Sequence, residues 1–306
     1  MARNGLAAWI GALQGDWRAV FPRCADRECS AARRMGRRLG WRHVGIRLSG
    51  SWYCSPQCLE KAVRQNFSRG RVTALPKRSA RHRIPLGLLM LSRGQLTNPQ
   101  LRAALEAQRA SGHGRIGQWL EHMGFATEQQ VTAGLGLQWA CPVLPASAPH
   151  DPACLGLLPF SLLESFRMLP VRFVAATRIL YVAFCDGIDY TALNAIEQML
   201  DCRTEACLLS HSALERGLEQ MAEQFRTRDL SFESRRDVGE MARITCSYAL
   251  KLGAEEVRIV HCGDYLWTRL QSGDTATNLL FRRPALALEE PSSGPARNFL
   301  THHATG

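Results

Sequence analysis

Between residues 84 and 139 apolar positions recur at helical spacing, and the pattern is written twice. Leu86 and Met90 share one face of a short segment that Gly94 closes in the left-handed conformation glycine favours. Thr97 then caps a second segment whose inner face carries Leu101, Leu105 and Gln108. At an offset of 30 residues the same marks return. Ile116-Gly117 stands for Leu86-Gly87, Leu120 for Met90, Gly124 for Gly94 and Thr127 for Thr97; Gln130 follows Gln100, Val131 Leu101, Leu135 Leu105 and Gln138 Gln108. The repeat predicts two helix pairs stacked about a pseudo-twofold axis, each burying its leucine face against the other.

On either side the period changes from helical to alternating. Residues 43–48 and 52–54 read as two strands turning at Ser49-Gly50-Ser51, after which Ser55 caps a helix that Pro56 begins. Downstream, residues 139–144 form an extended exit, and Leu157-Leu158-Pro159 opens a unit with a helix at 160–166. Strands at 169–174 and 179–184, a helix at 190–200, a strand at 203–208 and a helix at 212–224 follow in the order β-β-α-β-α. The expected fold class is α+β: a hairpin-and-helix head, a tandem helix-pair repeat and a small β-β-α-β-α subdomain.

No apolar run is long enough to span a bilayer, since the uncharged stretch 129–150 is interrupted by Pro142, Pro145 and Pro149. Residues 5–13 after Arg3 imitate a leader, but they lack a small-residue cleavage site and read better as a short amphipathic helix. Of 38 basic residues only Lys61, Lys77 and Lys251 are lysines, followed by Ala62, Arg78 and Leu252. A phosphate-binding loop that ends in Lys-Ser or Lys-Thr is therefore not encoded. The formal charge of +11 is concentrated in residues 1–83, which hold 18 basic and 4 acidic side chains, a balance of +14, against −3 for the remainder. Such a head can attract nucleic acid, an acidic protein or an anionic surface, or can simply be solvated.

Eleven cysteines form no regular disulfide framework. Four are paired at two corners, Cys24-x4-Cys29 and Cys54-x3-Cys58, separated by 24 residues. Two short loops that each turn a pair of thiolates toward one point are what tetrahedral zinc needs; two disulfides or four core thiols are the alternatives. The other seven lie singly in apolar surroundings, which suits a reducing cytoplasm. Knuckle, hairpin and helix, with the last cysteine in the first helical turn, resemble a treble-clef zinc finger over about residues 21–67. That resemblance implies a closed, structural site of Cys24, Cys29, Cys54 and Cys58. His43 reads as a half-buried strand side chain.

The tandem pattern, a Leu-Gly pair followed by spaced aliphatics, a glycine and a terminal glutamine, resembles the N-terminal domain of the GspE/MshE assembly ATPases of type II secretion and type IV pili, also called MshEN. The β-β-α-β-α order, with Leu157-Leu158-Pro159, Leu169-Pro170 and Val182-Ala183-Phe184, is similar to the second half of that domain, so the likeness covers about residues 84–226. It implies cyclic di-GMP held by two motif copies, each embracing half of the ligand. Carried over by position, the second copy offers Arg115, Ile116, Gly117, Leu120, Gly124, Val131, Leu135 and Gln138. In the first, Leu86, Gly87, Met90, Leu91, Gly94, Leu101, Leu105 and Gln108 are retained, but Pro85 replaces the leading arginine and Arg83 lies two residues upstream. Gln95, Glu121 and Ala126 also stand where aliphatic residues are usual.

Residues 241–270 resemble the opening of the ATPase region, and no motor follows. The expected division is a basic head at 1–67, a linker at 68–83, the repeat at 84–145, the α/β part at 146–226, the remnant at 238–283 and a flexible tail at 284–306. The functional expectation is a non-catalytic cytoplasmic regulator or adaptor that binds cyclic di-GMP and contacts a secretion or pilus assembly component. The alternative is a nucleotide-independent interaction module whose zinc head binds nucleic acid or an acidic partner. No Ser or Cys sits in a nucleophile context; Asp186 and Asp189 read as turn and cap residues and His211 as a helix-entry side chain.

Overall fold

A computed structural model describes residues 23–29, 45–69, 83–147, 151–225, 229–232 and 236–282. The amphipathic segment 5–13, His43 and the tail 284–306 lie outside them, as does most of the linker. In the head, β1 (Ile46–Leu48) and β2 (Ser51–Tyr53) pair antiparallel, Arg47 opposite Trp52. The hairpin turns through Ser49 and Gly50, at φ of 46° and 83°. Ser55 then accepts a hydrogen bond at Oγ from the Cys58 amide (3.3 Å), and α1 (Pro56–Arg69) begins at the proline.

The repeat folds as α2 (Leu86–Ser92), α3 (Asn98–Ser111), α4 (Ile116–His122) and α5 (Glu128–Trp139). The two copies agree in detail. Gly94 and Gly124 both adopt φ of 69°, which releases the short helix into its turn. Thr97 and Thr127 both close capping boxes with Gln100 and Gln130. Leu86, Met90, Leu120 and Val131 are buried in one shared cluster. The inner face of α3 runs through buried Leu101 and Ala104, and Leu105 is only half-buried.

Next come α6 (Phe160–Ser165), β3 (Met168–Val174), β4 (Ile179–Phe184), α7 (Tyr190–Leu200), β5 (Arg203–Leu208) and α8 (His211–Phe225). The three strands form one sheet in the order β3-β4-β5, antiparallel then parallel. The extended exit from the repeat lies along the free edge of β5: the Leu144 amide donates to Leu208 O and the Leu208 amide to Pro142 O. The repeat is thereby tied to this sheet.

The chain continues through β6 (Asp229–Phe232), α9 (Val238–Lys251), β7 (Glu256–Cys262), β8 (Tyr265–Ser272) and β9 (Thr275–Arg282). These strands join the head hairpin in a six-stranded sheet of order β2-β1-β7-β8-β9-β6. Sequence order separates the head at 1–67 from the segment 238–283, yet β1 pairs parallel with β7 and the two segments share a layer. The reason is the period-two alternation of the C-terminal strands. Val257, Leu266, Leu270, Leu279 and Phe281 point to one face, where α1 and α9 cover them with Leu59, Val63, Phe67, Met241 and Ala242. Val260, Cys262, Trp267 and Leu280 point to the other, into the core of the β-β-α-β-α unit. A hairpin as short as β1-β2 cannot bury its own apolar face, so Ile46 and Leu48 find cover here. Among the described residues no helix is long and apolar enough to cross a membrane.

Candidate functional site

The first site is the cysteine cluster. Ligand atoms of Cys24, Cys29, Cys54 and Cys58 all lie within 4.8 Å of one another, and only Cys24 is not fully buried. Cys29 and Cys54 sulfurs are 3.4 Å apart, and all eleven cysteines are free thiols. Burial, together with hydrogen bonds from Cys29 and Cys24, holds the Cys54 thiol well above its usual range. Cys58 is pushed up to about 12, chiefly by burial. Four sulfurs gathered around one point suit tetrahedral zinc. The loop is held from outside by Lys61, which pairs with Glu28 and lies 3.6 Å from Asp26. The donor set can hold a metal, and it leaves no coordination position for substrate.

The second site arises from the repeat. Each terminal glutamine reaches across to the backbone at the start of the other copy: Gln108 Nε2 donates to Gly114 O (2.8 Å), Gln138 Nε2 to Ile84 O (2.7 Å). The bonds match at the 30-residue offset, and they bring both copy starts, Pro85-Leu86 and Arg115-Ile116, to one open cleft of about 850 Å³. Its apolar floor is Leu86, Ile116, Val131 and Leu135; its other side comes from the β-β-α-β-α unit through Cys185, Asp186 and His211. Arg115 donates from its guanidinium to the Asp186 carbonyl, so the wall of one unit is latched to the other. Glu128 fastens the same junction by accepting from the Ser212 amide (2.6 Å) and hydroxyl (2.7 Å) at the start of α8.

Aromatic rings flank the floor. Trp119 lies between His113 and His122, with ring centres 6.4 Å and 6.0 Å away. Trp139 carries the Arg83 guanidinium 3.6 Å above its ring. Acidic groups also face the cleft. Burial first, then the neighbouring charges of Glu128 and Asp186, raises Glu121 above the ordinary glutamate value. Cys185, Asp186 and His211 place ligand atoms within 4.8 Å of one another, but the Arg167 guanidinium stands against them, 2.9 Å from His211 Nδ1 and 3.9 Å from Asp186. That fixed cation already answers these donors. Burial and Asp186 hold the Cys185 thiol up, the reverse of what a nucleophilic cysteine requires.

Of the residues carried over from the repeat motif, Leu86, Arg115, Ile116, Gly117, Val131, Leu135 and Gln138 line the cleft. Met90 and Leu120 lie in the shared core behind it, and Gly94 and Gly124 are turn residues. Leu91, Leu101, Leu105 and Gln108 do not line it, and neither does Gly87. The two Leu-Gly glycines have a packing reason. A side chain at Gly87 would meet Leu101, and one at Gly117 would come within 2.8 Å of Val131. Arg83 reaches the cleft only through Trp139. Trp119, Trp139, His113, His122, Glu128, Cys185 and Asp186 are not legible as site residues from sequence, because none repeats at the motif offset, and Glu121 stands at a motif position usually aliphatic.

A tandem helix-pair repeat docked on a β-β-α-β-α unit, with an open cleft between them, defines an α+β class of domain. The MshEN domain family matches residues 135–228, beginning within α5 and covering the β-β-α-β-α unit. The structure of MshE with cdg is similar at 30% identity, covering 45% of this chain and 99% of that chain, with a TM-score of 0.40. The N-terminal domain of XpsE is similar at 17% identity, covering 44% of this chain and 92% of that one, with a TM-score of 0.35. No curated protein matches the chain. Residues 135–228 are thus the part of this chain that matches the MshEN domain family.

Proposed function

We propose that the protein is a non-catalytic regulator that binds cyclic di-GMP in the cleft between the repeat and the β-β-α-β-α unit, and relays its occupancy to a secretion or pilus assembly component. The observation that carries this reading is the convergence of both copy starts, with Arg115, on one open cleft of about 850 Å³. An apolar floor suits purine faces, a guanidinium suits a guanine edge or a phosphodiester, and both are present. Kinship with MshE, solved with cdg, supports the same ligand class. Because Arg115 is latched to the Asp186 carbonyl, a ligand that takes the guanidinium releases that contact between the two units. Occupancy then changes how the repeat sits on the unit behind it, which is the signal a partner can read.

Calorimetric titration of the whole protein with cyclic di-GMP tests the proposal. Saturable binding is expected, and Arg115→Ala should weaken it about tenfold or more, the effect of losing one charged hydrogen bond. Absence of heat at tens of micromolar ligand overturns the reading. The second reading, a nucleotide-independent module whose basic metal head binds nucleic acid or an acidic protein, would then stand on the +14 balance of residues 1–83.

A further inference from the structure

Two indole rings bound the cleft, and both come from the second copy of the repeat, Trp119 in α4 and Trp139 at the end of α5. Positions 83 and 113 are matched at the 30-residue offset, and each carries a planar nitrogen-bearing side chain beside a tryptophan. Arg83 covers Trp139 at 3.6 Å, and the His113 ring lies 6.4 Å from Trp119 at an angle of 34°. Both tryptophans are half-buried and both line the cleft. Each ring also packs close to a glycine. A Cβ at Gly114, φ 83°, would come within 2.9 Å of the Trp119 ring nitrogen, and one at Gly187, φ 142°, within 2.7 Å of Trp139. Trp119 Nε1 donates to His113 O (3.1 Å), so its polar edge is satisfied while its ring remains beside the cleft.

Large aromatic side chains with a fixed orientation and a cleft-facing surface are suited to stacking a flat base, since every base has a π face and a rigid ring loses little freedom on binding it. Resting on the cyclic di-GMP reading, we propose that Trp119 and Trp139 are the two base-stacking walls of this cleft, one for each purine of a dinucleotide, and that Arg83 closes over the Trp139 station where Pro85 offers no guanidinium. The two stations differ. Arg83 of the first copy and Trp139 at the end of the second form one stack, while Trp119, also of the second copy, has two imidazoles nearby.

The test uses the whole protein, cyclic di-GMP as titrant, and the variants Trp119→Leu, Trp139→Leu, Trp119→Phe and Trp139→Phe, with circular dichroism and metal content as checks on folding. Each leucine variant should lose about ten- to a hundredfold in affinity, and each phenylalanine variant should recover most of the loss. Arg83→Ala should weaken binding in the wild-type background and have little further effect in Trp139→Leu. Wild-type binding with leucine variants unchanged overturns the stacking walls and leaves the ligand reading standing. Phenylalanine variants as weak as leucine ones also overturn it, because the rings would then matter for shape and not for their π faces. No binding by the wild-type protein overturns the ligand reading and this inference together.

Discussion

Glu121 shows how one residue can depart from a repeat and change its chemistry. It stands at the offset of Leu91, inside the cleft, where burial and the charges of Glu128 and Asp186 favour its protonated form. Its folded-state pKa is raised, so the stability associated with it is full below the ordinary glutamate value and is lost as pH rises through the raised value. Glu121→Gln should therefore gain stability over the wild type above that window and be indistinguishable from it below, as urea unfolding at a series of pH values would show. Ionised Glu121 also repels a phosphodiester. The same variant should bind cyclic di-GMP about two- to fivefold more tightly at neutral pH, and lose that advantage on acidification; unchanged affinity would place the anionic part of the ligand elsewhere. Nothing in the spacing of the chain announces this, because the carboxylates that crowd Glu121 come from α5 and from the turn after β4.

At the scale of elements the sequence was informative wherever one local rule acted. Gly94 and Gly124 end their helices at φ of 69°, Thr97 and Thr127 cap the next, and Asp189 caps α7 through the Thr191 and Ala192 amides. These depend on the chain within one turn of the residue concerned. Gly87 and Gly117 belong to another kind: their meaning is the side chain of a second helix, Leu101 or Val131, that occupies the space of their missing Cβ. Gly117→Ala should destabilise the repeat by about 1–3 kcal/mol through overpacking, even though alanine favours a helix, and thermal unfolding would measure it. A stabilised variant would show that Val131 moves aside freely. The glutamines that end α3 and α5 were visible as repeated letters, but their hydrogen bonds to Gly114 and Ile84 depend on the stacking of the two copies.

In the whole molecule the cysteine cluster and the C-terminal strands depend on each other, although Cys58 and Glu255 are 197 positions apart in the chain. The cysteines fix the hairpin and α1, and Ile46, Leu48, Leu59 and Val63 enter the same core as Met241, Val257 and Leu279. A chelator that strips zinc from these four cysteines should therefore loosen β7 and α9 as well as residues 46–67, and hydrogen exchange should rise in both segments together. Exchange confined to the head would show that the sheet holds without it. By itself the sequence determined the α+β class, the four helices of the repeat, the β-β-α-β-α order and the four cysteines that meet, because periodicity, caps and short-range spacing are properties of neighbouring residues. Only the tertiary structure decided that head and tail share a sheet, that Arg115 is latched to the Asp186 carbonyl, and that two tryptophans without counterparts in the repeat bound one cleft. Those contacts join residues far apart in the chain, and they form where burying apolar surface brings separate elements together.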